Sequence, residues 1–288
     1  MTLIIILIGM AFEHFVGVAD EIRRFAWFNR YINWLENRLA RYPLWNGAAG
    51  VIISLAGPLL LVALLSWGLS ELFLPLGLVF ALAVLVYSLG PKYLNPQLDD
   101  LIKALEEDNE QHIEGLLNEF SIQGINAEDD QQLIENILVE ANERLFGVLF
   151  WFIVLGPLGA LCYRMTCQLW RQQSDIHGYY SESVRDLYNI LNWPTARLMA
   201  LGNALTGNMV DAVESWRAAE EQSLAVNQAV ICASGLGALN FQQQEIEEPE
   251  MIIENRIYWL RALQGLLNRS LLAWLTILGI MTISGWLS

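Results

Sequence analysis

The chain has 288 residues, of which 55% are hydrophobic and only 16% charged, with a formal net charge of −15 at pH 7. Such a composition is too apolar for an ordinary water-soluble surface and points to a membrane protein. No basic groove interleaved with aromatics appears apart from the arginine-rich stretch that follows residue 20, which argues against nucleic acid as a partner.

The opening stretch, "MTLIIILIGMAFEHFVGVAD", is an apolar run interrupted by Glu13 and His14. It lacks the basic leading region and clean cleavage site of a signal peptide. Residues 3–18 therefore read as a retained helix, either a short span or one dipping into the bundle. Glu13 is then either a pairing or functional residue at membrane depth or a charge on the rim of an interfacial anchor.

The following stretch, residues 20–45, places Phe25, Phe28, Ile32, Leu35 and Leu39 at helical spacing and carries five arginines on the remaining surface. This is the pattern of a helix lying on an anionic membrane face, with lipid as its partner. The arginine bias also puts the segment in the cytoplasm.

A hydrocarbon layer is crossed by about 20 mostly apolar residues. Four segments meet that length: 50–69, 73–90, 145–165 and 270–288. Only Ser70, Glu71 and Leu72 join the first two, which predicts a helical hairpin returning residues 91–144 to the cytoplasm. Pro58, Gly156 and Pro157 fall inside spans, where neighbouring helices can cover the freed backbone groups.

Between Asp99 and Glu143 there are fourteen carboxylates against the single Lys103. Apolar residues still recur there at helical spacing, at Leu98, Leu101, Ile102, Leu105, Ile113, Leu116, Leu117 and Phe120, and the pattern repeats at Leu133, Ile134, Ile137, Leu138 and Ala141, which reads as two helices. Residues 91–144 thus read as an acidic insertion of amphipathic helices with a solvated face. The fold class is all-α: a single multi-pass helical membrane domain over 1–288, with amphipathic cytoplasmic helices. A further candidate crossing lies at 191–207; without it, four spans and a cytoplasmic first loop would put 166–269 outside.

Most catalytic signatures are absent. Neither Lys92 nor Lys103 follows a glycine loop, which excludes a P-loop. The "SGLGAL" stretch has Asn240 where a dinucleotide fingerprint needs its third glycine, so Gly235 and Gly237 read as a helix-packing face. Cys162, Cys167 and Cys232 form no CxxC pair, and His14, His112 and His177 are scattered; no metal site and no catalytic residue is assigned. No cofactor can be named.

Polar residues at the ends of apolar helices remain as ligand-binding or bundle-interior candidates: Glu13, Glu140, Asn142, Arg144, Tyr163, Arg164, Asn192, Arg197 and Asn227. On a regular helical wheel Ile137, Ala141, Arg144 and Val148 share one side, with Glu140 one turn before Arg144 and able to pair with it. Arg164 reads as a snorkelling or topological anchor. Arg197, inside "LNWPTARLMAL", either faces the bundle interior, with Glu140 or a ligand anion as partner, or snorkels to the headgroups.

The segments "EANERLFGVLFWFIVLGPLGALCYRM", "LNWPTARLMAL", "GNMVDAVESW" and "LGAL" resemble the AmpE family of bacterial inner-membrane proteins. The resemblance implies a regulatory or sensory protein of β-lactamase induction, linked to a cell-wall-recycling amidase pathway and binding a small anionic ligand, with a homo-oligomer open. More distantly, the same segments resemble the CobD/CbiB family, membrane enzymes that join an aminopropanol unit to a corrinoid carboxylate in cobalamin synthesis. Asn192, Trp193, Ala196, Arg197 and Leu198 carry that likeness. Where those synthases have Asn-Thr-Leu-Asp-Ser, this chain has "CQLWR", with Cys167, Trp170 and Arg171 replacing polar groups. Of their Ser-Pro-Asn-x-Gly signature only Asn227 is kept. An acyl-transfer site tolerates such losses poorly, so the regulatory reading is expected, with the amide-forming enzyme as the alternative. A transporter is a third reading, carried by intramembrane charges and proline-broken segments.

Overall fold

The computed structural model describes residues 3, 5–10, 25–39, 41–42, 45–89, 94–107, 109–119, 130–173, 178–222, 226–241 and 249–284. All regular structure among them is helical. Three helical stretches are long and apolar enough to cross a membrane, Ala48–Leu72, Asp130–Gln172 and Met251–Ile283. The chain is an all-helical membrane protein, as its composition requires. Glu13 and most of the 3–18 segment lie outside the described residues.

By proximity the chain forms two compact units. One contains Met1–Pro91 and Glu143–Trp193, the other Lys92–Asn142 and Pro194–Leu287. In the first unit α1 (Ala26–Leu39) buries Phe28, Ile32 and Leu35, the face its spacing predicts. Next come α2 (Ala48–Leu72) and α3 (Leu74–Ser88), which turn about Phe73, a single extended residue with Pro75 opening the second helix. The expected hairpin is present. However, α3 has only 15 residues, roughly 22 Å of rise against a hydrocarbon core of about 30 Å, shorter than the span read at 73–90.

The second hairpin lies within α7 (Gly147–Gln173). Gly156 has φ 66° and ψ −153°, a conformation open essentially to glycine alone, and Pro157 follows. A methyl group on Gly147 would meet the Tyr163 ring at 2.2 Å, and one on Gly159 would meet the Trp151 carbonyl oxygen at 2.3 Å. Residues 16 apart on a straight helix are roughly 24 Å apart. The arms 147–155 and 157–173 are therefore antiparallel. The reading of 145–165 as one straight crossing is corrected: a Gly-Pro pair that could merely kink a helix here reverses it.

Around these hairpins the core gathers Phe25, Phe28 and Ile32 of α1, Val51, Leu55 and Val62 of α2, and Val84 of α3. Leu161, Met165 and Leu169 of α7 and Val184 of α8 (Tyr179–Thr206) complete it. Apolar lipid supplies little drive for burying such groups, so close packing and interhelical hydrogen bonds carry the association. Ser54 and the Tyr180 hydroxyl, 2.9 Å apart, are one such bond.

The second unit holds α4 (Leu94–Glu106), α5 (Glu110–Glu119) and α6 (Asp130–Ala141) with α8 from Pro194 onward. It also holds α9 (Met209–Gln222), α10 (Val226–Leu239) and α11 (Pro249–Ile283). The predicted apolar positions of the acidic segment are buried at Leu98, Leu101, Ile102, Leu105, Leu116, Leu133, Ile134, Ile137, Leu138 and Ala141. Where two amphipathic helices are the natural count, three form. Their polar faces are partly bonded: Arg256 to Asp130 at 2.6 Å, Gln264 to Asp99 at 2.9 Å and Asn95 to Asn268 at 2.6 Å. A methyl group on Gly235 would meet Leu138 at 2.4 Å, and one on Gly237 the Asp211 carbonyl oxygen at 2.5 Å. Both glycines are packing positions.

Candidate functional site

Between α6 and α7 the helix widens into a π turn over Asn142–Phe146, a local irregularity frequent at functional sites. Its three consecutive polar residues, Asn142, Glu143 and Arg144, are all buried. Ile137, Ala141 and Val148 are buried as well, but the wider turn shifts the 3.6-residue register on which the Ile137–Ala141–Arg144–Val148 face depends.

In the first unit Glu143 is the centre of a buried polar cluster. Arg171 donates from Nε at 3.0 Å and from Nη2 at 2.5 Å to Glu143 Oε2, and the Tyr188 hydroxyl donates to Oε1 at 2.5 Å. Trp170 stacks on Tyr188 with ring centroids 5.4 Å apart. Arg164 Nη1 approaches the Glu143 carbonyl oxygen at 3.5 Å, and its guanidinium lies 6.0 Å from the centre of the Phe25 ring. Arg164 is buried; the expectation of a snorkelling anchor is corrected, because the hairpin folds this residue inward. Tyr163, also buried, donates to Asn192 Oδ1 at 2.8 Å.

The second unit carries its own polar set. Arg197 Nη1 donates to Asn227 Oδ1 at 2.7 Å, and its Nη2 lies 3.2 Å from Glu220 Oε1. Asn142 Nδ2 approaches Thr195 Oγ1 at 3.4 Å. Glu140 is buried. Asn203, Ser234, Ser270 and Thr206 form a further polar ladder, with Asn203 to Ser234 at 3.3 Å and Thr206 to Ser270 at 2.9 Å.

Two pairs among the candidate residues are thus brought together, Tyr163 with Asn192 and Arg197 with Asn227. Sequence reasoning missed Glu143, Tyr188 and Glu220, and it treated Arg171 as a lost polar position. The spacing of 28 residues between Glu143 and Arg171 carries no helical signal; only the reversal at Gly156 joins them.

Chemically, the two clusters suit holding an anion better than moving a proton. Both oxygens of Glu143 are engaged, and no histidine belongs to either set. No group of metal-ligating side chains occurs among the described residues. The guanidinium groups are tethered yet reachable, with side-chain exposures of 26% for Arg171 and 18% for Arg197. A guanidinium presents a planar fork of donors suited to carboxylate and phosphate.

Residues 6–247 match the family model described as CobD/Cbib protein. The chain belongs to that family. A cobalamin biosynthesis protein CobD of Chromobacterium violaceum is 29% identical over 213 residues, covering 68% of this chain and 65% of the relative. Another, of Stutzerimonas stutzeri, is 31% identical over 108 residues, covering 36% of each chain. The matched region thus spans slightly under two thirds of the first relative's length. No solved structure matches.

These matches overturn the expected role as an AmpE-like regulator of β-lactamase induction. That reading rested on the segment resemblance and set the synthase aside because polar groups were lost around Cys167–Arg171. In the structure Arg171 is instead tied into the polar cluster with Glu143 and Tyr188.

Proposed function

We propose that the protein acts in cobalamin biosynthesis as a multi-pass protein of the bacterial cytoplasmic membrane, with a member's amide-forming role toward a corrinoid carboxylate and an aminopropanol unit. The match of residues 6–247 to the CobD/Cbib family carries the reading. The chemistry of the polar clusters supports it. Carboxylate and phosphate groups are anions, and each unit holds a guanidinium that is fixed by a neighbouring carboxylate and still partly exposed. Arg197 lies in the segment that carries the CobD/CbiB likeness, with Asn227 fixing its orientation. Its role is to receive an anionic group of the substrate, and Asn227 and Glu220 are positioning residues.

Complementation of a strain lacking the synthase tests this, with growth scored on cobinamide precursors. Restored growth is expected. Arg197→Ala should lower corrinoid conversion about ten- to hundred-fold, the loss of one charge-assisted contact, at an unchanged membrane level of protein. No growth from a well-expressed, correctly inserted chain would overturn the reading.

A further inference from the structure

We propose that α1 carries a binding surface for anionic phospholipid headgroups on its outward face. The inference does not depend on the synthase reading. Trp27, Arg30, Trp34, Arg38 and Arg41 follow one another at intervals of three and four residues. On α1, Trp27, Arg30, Trp34 and Arg38 form one stripe at roughly 100° per residue, on a different face from the buried Phe28, Ile32 and Leu35, and Arg41 follows in the turn beyond the helix. Trp27 is 42% exposed, with its indole N–H donating to the Tyr87 hydroxyl, Trp34 is 53% exposed, and the three arginines are exposed. The inner face is packed against protein, and Trp27 is tied to Tyr87 at one end of the stripe, so the exposed length from Arg30 to Arg38 remains for a partner.

Charge identifies that partner. Among the described residues no carboxylate pairs with Arg30, Arg38 or Arg41, in a chain of net charge −15. Glu36 is the one exposed acid on α1, and it lies off the stripe. The Arg38 guanidinium sits 5.4 Å from the centre of the Trp34 ring, an arrangement that keeps an arginine extended along an aromatic face. Arginines beside exposed tryptophans are the side chains that seat a helix among anionic headgroups.

Depth agrees with this assignment. The Tyr31 hydroxyl lies against Gly57 of α2, 2.5 Å from where a Cβ would stand. The exposed apolar surface of α2 begins nearby, at Ile52 and Ile53. Tyr31 thus sets the middle of α1 against the first half of α2, roughly 7 Å along the helix from Ile52, within reach of headgroups for its long arginine side chains.

The full chain is reconstituted in phosphatidylcholine vesicles containing one quarter phosphatidylglycerol, with bromine placed on the acyl chains of either lipid. Quenching of tryptophan fluorescence is compared between the parent and its Trp27→Phe/Trp34→Phe variant, which isolates the signal of the stripe. Brominated phosphatidylglycerol should quench that signal more strongly per mole than brominated phosphatidylcholine. Each of Arg30→Gln, Arg38→Gln and Arg41→Gln should lower the preference by up to about five-fold, the equivalent of about 1 kcal/mol per arginine, and added salt should lower it too. Equal quenching by both lipids would overturn the proposal. So would a triple variant that keeps the lipid preference, or one that changes the oligomeric state in its place.

Discussion

Glu143 holds its cluster together because each of its oxygens has a donor of its own, so its removal leaves the Arg171 guanidinium without its counter-charge. Breaking a buried pair in this way costs about 3–5 kcal/mol; with a quarter of Arg171 still exposed, about 2–3 kcal/mol is expected for Glu143→Ala, read as thermal unfolding in detergent. Tyr188→Phe removes one charge-assisted hydrogen bond and should cost about 1.5–3 kcal/mol. Because both act through one carboxylate, the double variant should lose clearly less than the sum; additive losses would show that the cluster is not a unit. Cys232 offers a chemical readout in the second unit. Burial, with the Glu135 carboxylate adding to it, pushes its thiol up to about 12. At pH 8 only about one molecule in ten thousand is then thiolate, the nucleophilic form. Maleimide should label Cys232 about a thousand-fold more slowly than free cysteine, and ten-fold faster for each unit of pH between 8 and 10; rapid labelling at pH 8 would contradict the buried setting.

At the scale of elements, the reversal at Gly156 is the feature most open to a single substitution. No atom lies within 4 Å of a methyl group added there, yet the backbone stands at φ +66°. The cost of Gly156→Ala is therefore conformational and should be about 1–3 kcal/mol, seen as a lowered melting temperature. Gly147→Ala fails for the opposite reason: its backbone is helical, and the methyl would run into the Tyr163 ring. It should cost about 1–3 kcal/mol, recovered in part by Tyr163→Leu, whereas Tyr163→Leu should not rescue Gly156→Ala. This contrast also marks what could be read from the chain alone. The buried face of α1, the hairpin about Phe73 and the apolar positions of α4 and α6 repeat at helical spacing and were legible. The polar cluster was not, because Glu143, Arg164, Arg171 and Tyr188 converge only after the chain turns back. A Gly-Pro pair inside a uniformly apolar stretch looks the same whether it bends a helix or reverses it. The π turn hides in the same way, since nothing in "NERLF" announces an extra residue in the turn.

For the whole molecule, the second hairpin changes the parity of the chain. A stretch that goes in and comes back leaves the next segment on the side from which it started, whatever its apolar length. Both α2–α3 and the arms of α7 turn back in this way, and the prediction is that α8 starts on the side on which α2 starts. Contacts within the first unit agree. Trp45, just before α2, stacks on Tyr180, at the start of α8, with centroids 5.4 Å apart, and a methyl on Gly50 would lie 3.1 Å from the Tyr180 ring. Single cysteines at Asn46→Cys and Tyr179→Cys, in a chain whose three native cysteines are replaced by serine, should react with an impermeant thiol reagent from the same side of sealed vesicles. Labelling from opposite sides would refute the even count. On this count α8 is expected to begin on the side from which α2 begins, whereas four single crossings would put 166–269 outside, and the labelling of Tyr179→Cys decides between the two.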